Sequence, residues 1–282
     1  MQLLIVPQNS HFYWPLASAR AIIPGLVKEE QYLAPISKAF VQYSEASFEF
    51  VIGAAENVDF DSKTVQVSVE SGTRALGYDH LVLATGSRPA NDGVPWKARG
   101  TYEELVLTLR KTTDEIKAAK HIVVAGGGPT GVETAGELAY EFKDKTIVLV
   151  NAGPQLLNGD VLADSAEKEL TKLGVKIRKN SKVVSTSTLP RGQTQVTLEN
   201  AEIIATDMYL PTMGVVPNSE YLPSRVLDAR KFVQIDEYYK VSDAENVWAV
   251  GDLVWKPRGG FMITGKQVSI KATHISPNPE EI

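Results

Sequence analysis

The feature that most constrains this chain is a strand pattern that runs directly into a glycine-rich turn and then into a helix pattern. Residues 121–125 are an apolar run of strand type, residues 126–131 are Gly-Gly-Gly-Pro-Thr-Gly, and residues 133–142 favour a helix. The order of strand, Gly-x-Gly-x-x-Gly and helix is typical of a dinucleotide-binding βαβ unit. The sequence therefore predicts a dinucleotide site here, and an ordinary glycine turn in an α/β protein is the alternative.

Three glycines of this turn have a predicted role. Gly126 allows the tight turn, Gly128 lets the backbone approach a pyrophosphate, and Gly131 lets the helix pack closely on the strand. The pyrophosphate is expected on the unpaired N–H groups at the helix N-terminus, where the helix dipole favours negative charge. The predicted contacts of this turn are Gly126, Gly127, Gly128, Pro129, Thr130 and Gly131.

The composition excludes several classes of function. The 282 residues are 43% hydrophobic and 22% charged, which is typical of a globular protein with room for two domains. The net charge of −5 disfavours a nucleic-acid-binding surface, so no nucleic-acid partner is predicted. Without cysteine there is no disulfide, thiolate zinc site or cysteine nucleophile, and redox chemistry would need a cofactor. No metal site is predicted, because the four histidines lie far apart, at His11, His80, His121 and His274.

Membrane and export signals are not evident in the sequence. No apolar stretch approaches the roughly 18 residues of a membrane-spanning helix. Residues 1–7 are too short for a signal peptide and lack a basic start. We therefore expect no transmembrane segment and a cytoplasmic location, and a mitochondrial or membrane-associated location with peripheral membrane contact stays open.

The order of patterns predicts an interleaved α/β architecture. Two strand patterns that end in glycine, at 84–86 and 250–252, lie on either side of the glycine-rich unit. This predicts a nucleotide domain over 115–215, inserted into a second α/β domain built from 1–114 and 216–282. Predicted strands are 2–6, 48–52, 54–60, 64–69, 78–84, 121–125, 146–150, 175–178, 195–198, 202–204, 208–211, 232–236 and 247–250; predicted helices are 17–20, 101–120, 130–142 and 163–173, with a further helix from about Met262.

Four motifs together resemble the two-dinucleotide flavoprotein superfamily, the FAD- and NAD(P)H-dependent pyridine nucleotide oxidoreductases. They are Ala-Thr-Gly-Ser-Arg-Pro at 84–89, Gly-Gly-Gly-Pro-Thr-Gly-Val-Glu at 126–133, Gly-Val-Val-Pro-Asn at 214–218 and Val-Gly-Asp at 250–252. Within it the chain resembles the apoptosis-inducing-factor-like, ferroptosis-suppressor-like members, especially fungal ones. Type II NADH dehydrogenases share the second motif and are a near relative.

The resemblance implies FAD and NAD(P)H as cofactors and two interleaved Rossmann-like, three-layer dinucleotide-binding domains. The domain 115–215 would bind NAD(P), and 1–114 with 216–282 would be of the FAD type. The implied cofactor contacts outside the glycine turn are Ala84, Thr85 and Gly86 near the flavin nucleotide, Asp252 at the ribityl chain, the Val58 backbone at the adenine, Arg20 at the FAD phosphates or flavin edge, and Gly214 in the third motif. As alternatives from the residues alone, Asp252 is a turn residue, Arg20 a solvated helix charge and Val58 an ordinary strand valine.

Glu133 is the predicted catalytic residue. It lies just inside the helix N-terminus, where a carboxylate gains from the dipole, so a structural role is one explanation. In the enzymes that the chain resembles, the matching residue lies near the nicotinamide and flavin. There it could orient the hydride donor or supply a proton.

Asn151 is the predicted contact that bears on coenzyme choice. An acidic residue at the end of the second strand of a βαβ unit holds the ribose 2′-hydroxyl and favours NADH, whereas a nearby Arg favours a 2′-phosphate. Asn151 occupies that place and is neither, so the sequence leaves NADH and NADPH open.

The chain departs from the family pattern at both ends. Relatives open with a strand, a first glycine turn and a helix before the strand that corresponds to residues 2–6, so the first domain is predicted to lack its initial βα unit. Val6 and Pro7 stand where the ribose-binding acidic residue would be. The end is also short, and together these departures favour a fragment or an imperfect gene model over a minimal enzyme.

The sequence predicts an FAD-dependent NAD(P)H oxidoreductase that passes electrons from a nicotinamide through flavin to a quinone-like acceptor. The acceptor is implied by the resemblance alone. A truncated NAD(P)-binding module without turnover and a type II NADH dehydrogenase-like enzyme are the alternatives. A purely structural or regulatory protein finds support only in the aromatic cluster at 11–14.

Overall fold

The computed structural model describes residues 2–190, 192–255, 264, 265 and 267. The strands are β1 (Leu3–Ile5), β2 (His11–Tyr13), β3 (Leu33–Pro35), β4 (Phe48–Phe50), β5 (Ala54–Asp59), β6 (Thr64–Val69), β7 (Gly72–Gly77), β8 (Leu81–Leu83), β9 (Ser87–Pro89), β10 (His121–Ala125), β11 (Thr146–Val150), β12 (Lys176–Arg178), β13 (Val183–Thr188), β14 (Thr194–Leu198), β15 (Ile203–Thr206), β16 (Met208–Pro211), β17 (Val215–Pro217) and β18 (Val247–Ala249). The α-helices are α1 (Ser18–Ala21), α2 (Tyr102–Ala118), α3 (Pro129–Glu141) and α4 (Ala163–Lys172). Met262, the predicted start of a last helix, lies outside the described residues.

The chain divides into two compact units. Unit 1 consists of Met1–Ser10, Ile36–Arg88 and Val215–Ile282, and unit 2 of His11–Pro35 and Pro89–Gly214. The units differ from the predicted domains in the placement of two segments. Residues 11–35 and 89–114 were predicted in the FAD-type domain and belong to unit 2.

Packing explains why these two segments belong to unit 2. The Tyr13 hydroxyl donates a hydrogen bond to the carbonyl of Pro95 at 2.7 Å, and the Trp96 indole donates to the carbonyl of Pro211 at 2.6 Å. Ile22 is fully buried in the same core as Ile122 of β10.

Unit 2 is built on a parallel sheet in the order β12–β11–β10–β16. Ile122 of β10 pairs with Ile147 of β11 and with Met208 of β16. Strands of a parallel sheet are buried on both faces and are therefore continuous apolar runs, which is why the predicted bounds of β10, β11 and β16 are confirmed. A small antiparallel sheet, β13–β14–β15, lies in the chain between β12 and β16.

Helix α2 has a sequence-encoded start and one apolar face. The Thr101 hydroxyl accepts from the amide of Glu104 at 3.3 Å, and the Glu104 carboxylate accepts from the amide of Thr101 at 2.8 Å. This capping box satisfies amides that have no intrahelical partner. Leu105, Leu109 and Ile116 lie at helical spacing and are buried.

Unit 1 has no single long parallel sheet among its described residues. β1 pairs in parallel with β4, β8 pairs in parallel with β18, and β5, β6 and β7 form an antiparallel meander. β9 pairs with β17. The apolar core of unit 1 includes Val58, Leu83, Val226, Val247 and Leu253.

The predicted strand at 232–236 is wrong, because only isolated bridges occur there. Val233 bridges to Leu227 and Val254. On either side, aspartates bind turn amides: one Asp228 carboxylate oxygen accepts from the amide of Phe232 at 2.9 Å, and one of Asp236 accepts from the amide of Lys240 at 2.9 Å. Such side-chain bonds stabilise turns at the expense of extended strands.

Two glycines of α3 provide a test of how the helix packs on the sheet. A Cβ on Gly131 would lie 1.8 Å from the carbonyl oxygen of Gly126, whereas a Cβ on Gly136 would meet only Leu170 Cδ2, at 3.5 Å. We expect Gly131→Ala to lower the free energy of unfolding by about 1 to 3 kcal/mol. Gly136→Ala should be neutral or stabilise by up to about 1 kcal/mol, because alanine favours helix. Urea titration measures both, and equal effects would contradict the packing argument.

Candidate dinucleotide-binding site

The glycine turn of unit 2 joins the end of β10 to the start of α3. Gly126 has φ +113°, a conformation that favours glycine, and its amide donates to the carbonyl of Val150 at 2.8 Å. Gly131 allows the close approach of α3 to this turn. By contrast, a Cβ on Gly128 would meet no atom within 4 Å, so the turn is open to a ligand at Gly128.

The first turn of α3 can bind an anion. Gly128 is the N-cap and provides no side chain, Pro129 is the first helical residue, and the first turn contains no acidic residue. The amides of Thr130 and Gly131 lie too early in the helix to have an intrahelical carbonyl partner. A pyrophosphate is the kind of ligand that such a helix start binds.

Asn151 contacts this turn from the end of β11. The residue is 9% exposed. Its side-chain oxygen accepts from the amide of Gly127 at 3.2 Å. Its side-chain nitrogen donates to the carbonyls of Gly153 and Gln155, both at 2.9 Å. The structure therefore places this predicted contact beside the glycine turn, with its polar atoms engaged inside the protein.

Thr212 is a site residue that the sequence reasoning did not identify. Its hydroxyl lies 2.9 Å from the carbonyl oxygen of Ala125 and 3.2 Å from that of Gly126, and its single hydrogen is shared between these two acceptors. Thr212 follows β16, the neighbour of β10, so it closes the turn from the adjacent strand. The signal available in the sequence was its position two residues before Gly214. In the structure Gly214 has φ +80°, and its carbonyl accepts a hydrogen bond from the amide of Ala90.

Glu133 lies on α3, one helical turn before Glu137. Partial removal from water raises the pKa of Glu133, and the Glu137 carboxylate raises it further. The Arg20 guanidinium donates to Glu137 at 2.8 Å, and this bond holds the pKa of Arg20 above its usual value. Because Arg20 binds α3 inside unit 2, its predicted contact with FAD stays a prediction.

The predicted Ala84–Thr85–Gly86 turn of unit 1 follows β8 and is bonded to Asn218. The Thr85 hydroxyl donates to the carbonyl of Asn218 at 2.7 Å, and the Asn218 side chain donates to the carbonyl of Thr85 at 2.8 Å. Arg88 donates to the side-chain oxygen of Asn218 at 2.9 Å. Asn218 belongs to the third family motif but was not predicted as a site residue.

Val58 and Tyr221 are also joined in unit 1. Val58 is 4% exposed, and its amide donates to the carbonyl of Tyr221 at 3.1 Å. Burial raises the pKa of Tyr221 to about 12, and its hydroxyl lies 3.2 Å from that of Thr85. The amide of Val58 is thus used within the protein, and the predicted contact of the Val58 backbone with adenine stays a prediction.

Asp252 lies in the short helical turn Gly251–Leu253 that follows β18. Gly251 has φ +74°, and its amide donates to the side-chain oxygen of Gln267 at 2.8 Å. The Gln267 side-chain nitrogen is buried and has no hydrogen-bond partner among the described residues. An unpaired buried donor beside this turn is costly unless a ligand group accepts from it.

The predicted residues thus form two groups, one in each unit. Unit 2 contains the glycine turn with Asn151, Glu133, Arg20 and Gly214. Unit 1 contains the 84–86 turn, Val58 and Asp252. Among the described residues, none of the helices combines the length and apolar composition that crossing a bilayer requires.

Comparison with known proteins gives matches over nearly the whole chain. The family model described as pyridine nucleotide-disulphide oxidoreductase matches residues 9–275. Oxidoreductase ptaL from Pestalotiopsis fici is 40% identical, over 98% of this chain and 74% of the relative. Ferroptosis suppressor protein 1 from Mus musculus is 25% identical, over 88% of this chain and 66% of the relative.

Among solved structures, the fold matches a water-forming NADH oxidase from Lactobacillus brevis bound to NADH. The TM-score is 0.78 with 17% identity, and the match covers 97% of this chain and 63% of that chain. At this identity the likeness shows the fold alone, and it confirms the predicted α/β class with Rossmann-like folds. The chain thus spans about two thirds to three quarters of the length of these proteins.

The raised pKa of Glu133 predicts a pH-dependent effect on stability. The folded state holds the proton of Glu133 more tightly than the unfolded state, so ionisation disfavours folding as the pH rises through the folded pKa. We expect Glu133→Gln to be more stable than the parent at pH 7, with the difference vanishing towards the ordinary glutamate pKa of about 4.3. Melting temperatures across this range measure the effect, and parallel curves would contradict it.

The shared hydrogen bond of the Thr212 hydroxyl predicts a difference between two substitutions. Thr212→Val keeps the shape and removes the hydroxyl, and we expect a loss of about 1 kcal/mol or more in the free energy of unfolding. Thr212→Ser keeps the hydroxyl and should lose less. Urea unfolding measures both variants, and an equal loss would assign the effect to packing.

Proposed function

The chain belongs to the pyridine nucleotide-disulphide oxidoreductase family, and we propose that it passes electrons from NAD(P)H through FAD to a quinone-like acceptor. The observation that carries the proposal is the turn at 126–131, which is tight where α3 meets β10 and open at Gly128. Family membership confirms the predicted class of enzyme, an NAD(P)H-dependent oxidoreductase. It also confirms FAD and NAD(P)H as the cofactors of that class.

The residues of unit 2 fit a nicotinamide dinucleotide. The absent side chain of Gly128 leaves space for a pyrophosphate, and the amides of Thr130 and Gly131 would hold its oxygens. Gly126 and Gly131 are required for the helix to lie this close to the strand. A Cβ on either would be less than 3 Å from another atom.

The described residues of unit 1 fit part of an FAD site. The turn at 84–86 and the turn at 251–253 both follow strands of a parallel pair, β8 and β18. Ligands of α/β sheets bind outside the carboxyl ends of the strands. The buried side-chain nitrogen of Gln267, which has no partner in the part of the chain that the structure describes, would supply a donor there. Asp252 would accept from a ribityl hydroxyl.

We expect the residues of this chain to bind the two cofactors, to orient them and to hold a proton at Glu133. When bound, NAD(P)H supplies a hydride and the flavin accepts it. Glu133 is the proposed proton donor or orienting group, because partial burial and Glu137 both raise its pKa towards the range useful in acid–base catalysis. The Arg20 guanidinium forms an ion pair with Glu137. Its positive charge partly offsets the effect of the Glu137 carboxylate on the pKa of Glu133.

The absence of cysteine supports a small-molecule acceptor. The 282 residues contain none, so electrons cannot pass through a dithiol of this chain. Reduced flavin would then have to transfer electrons directly. A quinone accepts two electrons and two protons, and it is the acceptor class implied by the family resemblance.

A binding module without turnover is the second candidate. Within the described part of unit 1, the parallel strands form two separate pairs, β1–β4 and β8–β18. Separate strand pairs favour weaker flavin binding than one continuous parallel sheet, whereas the glycine turn of unit 2 does not depend on them.

Purified protein tests these candidates in one series. We expect flavin absorbance in the visible range and saturable oxidation of NADH or NADPH that a water-soluble quinone accelerates over air alone. Colourless protein that still binds NADH would favour the binding module. Protein that binds neither FAD nor a nicotinamide coenzyme would show the proposal to be wrong.

Glu133→Gln tests the proton role within the same assay. If Glu133 acts as an acid–base catalyst, kcat should fall by about 100-fold or more. Gly136→Ala is the matched control on the same helix, because its Cβ makes only ordinary contact. If Glu133→Gln kept full turnover, the acid–base role of Glu133 would be wrong, and orientation of the hydride donor would be its only remaining proposed role.

A further inference from the structure

Asn151 occupies the place where dinucleotide folds select their coenzyme, yet its side chain points into the protein. The residue follows β11 directly and is 9% exposed. A selecting residue at this place must reach the 2′ position of the adenosine ribose. The observed side chain instead lies against the glycine turn.

The hydrogen-bonding capacity of Asn151 is largely used inside the protein. Both hydrogens of its side-chain amide have acceptors, the carbonyls of Gly153 and Gln155. An asparagine amide has two donor hydrogens, so none remains for a 2′-phosphate. The side-chain oxygen accepts from the amide of Gly127.

Gly127 is bonded to this loop through both of its backbone groups. Its amide donates to Asn151, and its carbonyl accepts from the amide of Leu157 at 2.7 Å. A Cβ on Gly127 would lie 2.4 Å from the Asn151 side-chain oxygen and 2.9 Å from Leu156 Cδ2. The middle glycine of the turn and Asn151 are therefore packed as a pair.

We propose that Asn151 is a positioning residue that holds the pyrophosphate-binding turn and does not discriminate between NADH and NADPH. This inference rests on the proposed binding of NAD(P)H at the turn. Discrimination, where it exists, lies with other side chains of the chain.

The same contacts determine what an acidic residue would do at this position. The general rule gives an aspartate here a preference for NADH. In the Asn151→Asp variant the new carboxylate would face the carbonyl oxygens of Gly153 and Gln155 without a hydrogen to share. This substitution should therefore loosen the turn and weaken the binding of both coenzymes.

Titration of the full chain with NADH and with NADPH, followed by fluorescence, tests the proposal. We expect Asn151→Ala to raise both dissociation constants by about tenfold, with their ratio unchanged. Asn151→Asp should do the same. Asn200→Ala is the matched control, because Asn200 also accepts from a backbone amide but in the turn before β15. A tenfold or greater shift towards NADH in Asn151→Asp would overturn the proposal.

Amide hydrogen exchange gives a readout that needs no coenzyme. In Asn151→Ala the Gly127 amide loses its acceptor, so its exchange should accelerate, whereas the amide of Ile147 in β11 should be unaffected. Unchanged exchange at Gly127 would overturn the positioning role. If the parent binds neither coenzyme, the proposed function fails, and exchange at Gly127 still decides whether Asn151 holds the turn.

Discussion

The contact on which the rest of unit 2 depends is the approach of α3 to the end of β10. Gly131 lies so near the carbonyl of Gly126 that no side-chain carbon fits between them. This approach fixes where the first turn of α3 lies, and Leu138 and Ala135 of the same helix are buried in the core. The proposed binding geometry and the packing of the core therefore depend on the same contact.

Several neighbouring elements hold that contact in place. The hydroxyl of Thr212 reaches the turn from β16, and Asn151 reaches it from β11, so both strands next to β10 bond to it. The amide of Gly126 is also held, by the carbonyl of Val150. Hydrogen bonds from both neighbouring strands restrict the motion of the turn. A turn that is already ordered loses less conformational entropy when a ligand binds to it.

Much of unit 2 could be predicted from the sequence, because buried parallel strands and a glycine turn leave local patterns. The pairing of β2 with β3 could not, since it joins short segments about twenty residues apart, His11–Tyr13 and Leu33–Pro35. β13 was missed because its Ser- and Thr-rich residues are mostly exposed and carry no apolar alternation. The roles of Asn151 and Thr212 arise from side-chain bonds between strands, which local sequence does not encode.

The composition of unit 2 from two chain segments has a consequence for protein engineering. Residues 11–35 supply Ile22, Ile23 and Leu33 to the core that α2 and the sheet share. Excising 89–214 for grafting onto another scaffold would leave that apolar surface bare and prone to self-association. A transplantable coenzyme-binding cassette would have to carry both segments, joined by a new linker.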